Sequence, residues 1–71
     1  MLTNNQAMSL LHSGKKIRHI SWKDSNTYIS YNEGTYTIHD KMLIGGEMET
    51  DELSLQHSEG YVEFSFQHEY N

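Results

Sequence analysis

Residues 27–39 read TYISYNEGTYTIH, and the pattern in this stretch decides what kind of fold the chain adopts. Ile29 and Tyr31 alternate with Tyr28, so a strand through 27–31 puts the first two on one face and Tyr28 on the other. Asn32-Glu33-Gly34 has the composition of a three-residue hairpin loop, after which Thr35 to His39 returns antiparallel beside the first run. The segments on either side supply the rest of the architecture.

Upstream, Thr3 and Gln6 have the spacing of a capping box, with Leu2 placed to begin a hydrophobic staple. Ala7, Leu10 and Leu11 then repeat at helical spacing beside Met8, and Gly14 stands where a left-handed C-cap is usual. The spacing predicts a short amphipathic helix from about Asn4 to about Ser13. Lys16 to Trp22 has strand composition, but Ile17 and Ile20 differ in parity, so a strand there needs a bulge or burial on both faces.

Downstream, Met42, Leu43 and Ile44 form a short apolar run stopped by Gly45-Gly46. Glu47, Glu49, Asp51 and Glu52 read as an acidic loop or short helical turn, Leu53 and Leu55 as a brief element, and Ser58-Glu59-Gly60 as a turn. YVEFSFQHEY, residues 61–70, has the cleanest alternation: Val62, Phe64, Phe66, His68 and Tyr70 share one face, which is expected to be core at least through Phe66. The expected fold is α+β over residues 1–71: one short N-terminal amphipathic helix packed on an antiparallel sheet of four to five strands.

A chain of 71 residues with 35% hydrophobic side chains supports one small core. Such a core rarely contributes more than roughly 3–5 kcal/mol. Disulfides are excluded by the lack of cysteine, and no ligand spacing points to a structural zinc, so burial against further copies is the expected source of added stability. A homo-oligomer follows as an expectation. No signal peptide and no membrane-length apolar run are evident, which makes the cytoplasm the expected location and a membrane partner unexpected.

Charge is unevenly placed. Four of the five cations, Lys15, Lys16, Arg18 and Lys23, fall in GKKIRHISWK (residues 14–23), beside the single tryptophan, Trp22. No carboxylate precedes Asp24, and all ten follow Lys23 against one cation, Lys41. The basic stretch is therefore a local island, able to attract phosphates within a Debye length of roughly 8–10 Å. Arg18 has the fork geometry to hold a phosphate, Lys15 and Lys16 add less directional charge, and Trp22, Tyr28 or Tyr31 offers a ring for a base. If the strand alternates, Lys16 and Arg18 share a face with Trp22. Exposed lysines on a soluble edge and a core tryptophan are the plainer reading of the same residues.

Long nucleic acid is a poor fit to five cations against ten anions, whereas a small phosphorylated ligand fits better. The five histidines sit at no recognised metal-ligand spacing, no activated nucleophile stands beside a base at a diagnostic spacing, and Gly45-Gly46 matches no phosphate-binding fingerprint. Binding without catalysis, metal or cofactor is the expectation. Docking of the carboxylate-rich part on a basic host protein is the alternative.

Ala7, Leu10 or Leu11, Gly14, Lys15, Lys16, Ile17, Arg18 and Trp22, followed by Glu52-Leu53 and Gly60-Tyr61-Val62-Glu63, give the chain a layout that resembles small phage-encoded proteins of the Thoeris anti-defence two type and their relatives. The resemblance spans most of the chain, and GKKIRHISW is its specific part. It implies a molecular sponge that assembles as a homo-oligomer and binds nucleotide-derived immune signals, such as cyclised ADP-ribose derivatives or cyclic oligonucleotides, without cleaving them. Ser21-Trp22-Lys23-Asp24 here replaces a Gly-Trp-Asn-Gly type of turn, and Tyr61 stands at the late tryptophan position.

Overall fold

A computed structural model describes residues 1–65. Phe66, His68 and Tyr70, expected on the face of the final strand, lie outside the described residues. A two-residue strand β1 (Leu2–Thr3) leads directly into helix α1 (Asn4–His12), and then come β2 (Lys16–His19), β3 (Tyr28–Asn32), β4 (Thr35–His39), β5 (Glu47–Thr50) and β6 (Glu59–Phe64). Among the described residues the sheet has six strands in the order β1-β6-β2-β3-β4-β5, and every neighbouring pair is antiparallel. The helix lies on one face of it. No helix among the described residues is long and apolar enough to cross a membrane.

The helix begins as the capping box requires: the Thr3 hydroxyl accepts from the Gln6 amide at 3.2 Å, and the Gln6 side chain accepts from the Thr3 amide at 2.9 Å. Ala7 and Leu11, one turn apart, are fully buried against the sheet. Gly14 follows with φ +96°, and the Lys15 amide returns to the Leu10 carbonyl.

The β3–β4 hairpin closes one residue tighter than the sequence predicts. Asn32 pairs with Thr35, leaving Glu33 (φ +50°) and Gly34 (φ +85°) as a two-residue loop of the left-handed kind whose twist matches the strands. Glutamate is a poor resident of that first position, where asparagine is favoured. Glu33→Asn is therefore expected to raise stability by about 0.5 kcal/mol, read as a higher urea midpoint at unchanged slope; a lower midpoint would refute the turn assignment.

Register fixes the two faces. Ile17 pairs with Ile29 and Ile29 with Ile38, so these three lie in one row under the helix side, and Ala7, Leu11, Ile17, Ile29, Tyr36 and Tyr61 form the core cluster. Tyr61 sits opposite His19, which alternates with Arg18 and Lys16, so both cations are on the far face. Val62 and Phe64 share one face, as expected, but it is the face away from the helix, and Tyr61 is the residue of β6 that the helix covers. Phe64 is nonetheless buried, by stacking on Tyr28 at 4.4 Å on the face away from the helix, where Tyr28 also stacks on His39 at 4.2 Å. Strand β6 thus buries an aromatic ring on each face, so the expected core position of Phe64 holds, while the alternation does not reveal the burial of Tyr61.

Three further expectations change. Strand β2 stops at His19, so Ile20 falls in a turn, half exposed, and neither a bulge nor two-sided burial is needed. The expected acidic loop contains β5, an exposed edge strand. The expected turn at 58–60 is instead the start of β6, with Gly60 buried at φ +98°.

Candidate functional site

The helix covers one end of its sheet face and leaves Ile29 and Ile38 to floor a groove at the other. One wall is the β2–β3 connection, which carries Trp22; the other is the irregular segment carrying Leu53 and Leu55, both packed against the core cluster. The groove has a volume of about 560 Å³ and is largely apolar, with Lys23, Asp24 and Asp40 as its charged members. Space of that size with a few polar groups at its margin is what small-ligand sites offer.

The tryptophan wall is held by backbone capture. Arg18 donates from Nη2 to the Trp22 carbonyl at 2.9 Å and to the Asp24 carbonyl at 3.5 Å, while its buried Nε has no partner among the described residues. Asp24 accepts from the Asn26 amide at 2.9 Å and lies 3.6 Å from Lys41 Nζ. The Asn26 amide chiefly, then Lys41 and Arg18, hold the Asp24 carboxyl below its ordinary value against an opposing push from desolvation. The turn therefore keeps its anion at a pH where an ordinary aspartate would begin to lose it.

Below the groove, His19 is buried with both ring nitrogens engaged. Nδ1 accepts from the Ser21 amide at 3.0 Å and meets the Ser21 hydroxyl at 2.8 Å, so the proton belongs on Nε2, which donates to the Glu59 carbonyl at 2.8 Å. His57, another groove residue, stacks on this ring at 3.7 Å. His12 is hydrogen-bonded to the Tyr36 hydroxyl at 2.7 Å, and His39 to Ser30 at 3.0 Å. Among the described residues no three His, Cys, Asp or Glu side chains come together to hold a metal ion.

The candidate residues read from the sequence are thus divided. Trp22 lines the groove. Lys16, Arg18 and Tyr28 are on the opposite face of the sheet, Lys15 is exposed in the turn before β2, and Tyr31 packs on the helix side against His12 (4.7 Å) and Tyr36 (4.8 Å). Lys16 and Arg18 do not share a face with Trp22, because the strand ends at His19 and the turn carries Trp22 back over the core side. Arg18 acts on the groove indirectly, through the loop that it holds.

No family model, curated protein or solved structure matches the chain.

Asp24, Asp40, Leu53, Leu55 and His57 were not legible as site residues. Only the i, i+2 spacing of the two leucines carried a signal, and a segment without regular structure gives that spacing no face to report.

Proposed function

We propose that this is a non-catalytic sponge protein that binds and sequesters a nucleotide-derived host immune signal, of the cyclic oligonucleotide or cyclised ADP-ribose type, and thereby inhibits anti-phage defence in the host cytoplasm. The observation that carries the reading is the groove of about 560 Å³, floored by Ile29 and Ile38 and walled by the single tryptophan. A base lies against Trp22, where stacking contributes roughly 1–3 kcal/mol. Asp24 and Asp40 accept from ribose hydroxyls or exocyclic amines, and Lys23 with Lys41 takes the phosphates at the same rim. Sequestration needs tight binding and enough copies, since a sponge acts by mass action.

The active form is a homo-oligomer. Seven buried hydrophobic side chains among the described residues are a small core, and self-association adds burial that one chain lacks.

Because Trp22 is the only tryptophan, its emission reports directly on the groove. Titration with cyclic dinucleotides, cyclic trinucleotides and ADP-ribose derivatives is expected to quench it with submicromolar affinity for one class, the ligand being recovered intact. Trp22→Leu keeps an apolar side chain but loses the ring, and should weaken binding measured by calorimetry roughly fivefold to a hundredfold. A folded protein that gives neither heat nor quenching across the panel refutes the ligand class; conversion of the ligand refutes the non-catalytic reading.

A further inference from the structure

Among the described residues β5 lies at one edge of the sheet, with its outer backbone facing away from β4. Which residues point outward follows from the hairpin register. Asn32 and Thr35 flank a two-residue loop and so form a hydrogen-bonded pair; such pairs alternate, so Thr37 and His39 also bond to β3, while Tyr36 and Ile38 bond to β5. The bond from the Asp40 amide to the Gly46 carbonyl, 3.0 Å, continues this alternation. Met48 and Thr50 therefore bond inward to β4, and the N–H and C=O groups of Glu47 and Glu49 face out of the sheet.

Side chains along that edge alternate as well. Glu47 and Glu49 pair with His39 and Thr37 on the face away from the helix, with Glu33 bordering the same polar depression as Glu49. Met48 lies on the helix side, 48% exposed, and at the near end of the strand Ile44 is fully exposed and Met42 is 83% exposed. An edge with outward peptide groups and exposed apolar side chains is one that folded proteins ordinarily blunt, and here only the shortness of β5, four residues, and its two glutamates do so.

We propose that β5 takes an added strand from a basic protein partner, an extended segment in which lysine or arginine alternates with apolar residues. Outward peptide groups supply main-chain pairing, the basic side chains meet Glu47 and Glu49, and the apolar ones meet Met48 and Ile44. A second copy of this chain is a poor occupant, because antiparallel pairing at this edge sets glutamate against glutamate. The chain's own basic-apolar-basic run, Lys16-Ile17-Arg18, is enclosed between β6 and β3 and unable to reach. The inference does not depend on what the groove binds: Met42 and Ile38 line that groove, whereas Ile44, Glu47, Met48 and Glu49 do not.

The test uses a capped peptide alternating Lys with Val and an isomer of equal composition with its lysines in one block, each labelled for anisotropy at low salt. The alternating peptide is expected to bind at least tenfold more tightly than the blocked one. Glu49→Gln should weaken it severalfold by removing charge, and Glu49→Pro, which also removes an outward N–H, by a further tenfold. Equal binding of the two peptides, or of the two variants, overturns edge pairing. Amide exchange on the unmodified protein gives a readout that no variant can spoil: the bound peptide should slow exchange at Glu47 and Glu49 at least tenfold, and unchanged exchange at both refutes the proposal.

Discussion

Tyr61→Ala is expected to abolish the cooperative unfolding transition. Tyr61 is 1% exposed, stands opposite both Leu2 and His19, presents its ring edge to His19 at 4.8 Å, and belongs to the cluster that receives Ala7 and Leu11 of the helix. Truncating a buried aromatic side chain to alanine costs about 3–5 kcal/mol, which is comparable with everything that a core of this size supplies. The hydroxyl is a smaller part of the effect: it accepts from the His57 amide at 3.1 Å, and Tyr61→Phe should lose only about 0.5–1.5 kcal/mol and keep a sharp transition. Circular dichroism during urea titration separates the two. If Tyr61→Ala unfolds cooperatively near the parent midpoint while Val62→Ala does not, β6 has the opposite phase.

Gly60→Ala comes next in expected size. A Cβ built at Gly60 would lie 2.5 Å from His19 Nε2 and 3.0 Å from Cε1, and the backbone there has φ +98°, which L-residues rarely adopt. The ring has little room to retreat, since it is bonded to Ser21 and the Glu59 carbonyl and stacked on His57. Backbone strain of about 1–3 kcal/mol and displacement of the ring act together, so a loss of at least about 2 kcal/mol is expected. Combining Gly60→Ala with His19→Ala removes the collision while leaving the strain. The double variant should therefore be more stable than the sum of the single losses by at least about 0.5 kcal/mol; strict additivity in urea unfolding would show that the ring and the glycine do not meet.

What the sequence revealed of this fold was what local chemistry controls. Thr3, Gln6 and Gly14 mark the helix because their side chains, or the lack of one, satisfy its terminal peptide groups, and the structure places them at those ends. Tyr28, Ile29 and Tyr31 take the faces that alternation predicts. Alternation gives a period but not a side: it marks Val62 and Phe64 as one face, and Phe64 is buried, but it does not tell that the helix covers the face of Tyr61 instead. Glu47 to Thr50 hid a strand because an edge strand buries little, and its carboxylates look like any solvated loop. At the groove, Trp22 stood out by chemistry alone. The opposing wall did not, because Leu53 and Leu55 are positioned by tertiary packing; of the nearby cations, Lys23 stays at the groove beside Trp22, whereas Lys16 and Arg18 lie on the other face of β2.

Placement of β6 between β1 and β2 also sets an order in time. The meander β2-β3-β4-β5 pairs each strand with its neighbour in sequence, across short connections, and is able to form from local encounters. The helix, made earlier in the chain, has no complete bed until a strand more than 40 residues downstream slots in beside Lys16–His19 and captures Leu2 and Thr3. Until then Ala7 and Leu11 lack the Tyr61 side of their packing, so the arrival of β6 is the step expected to limit folding, and a nine-residue segment gains little helix before that strand has been made.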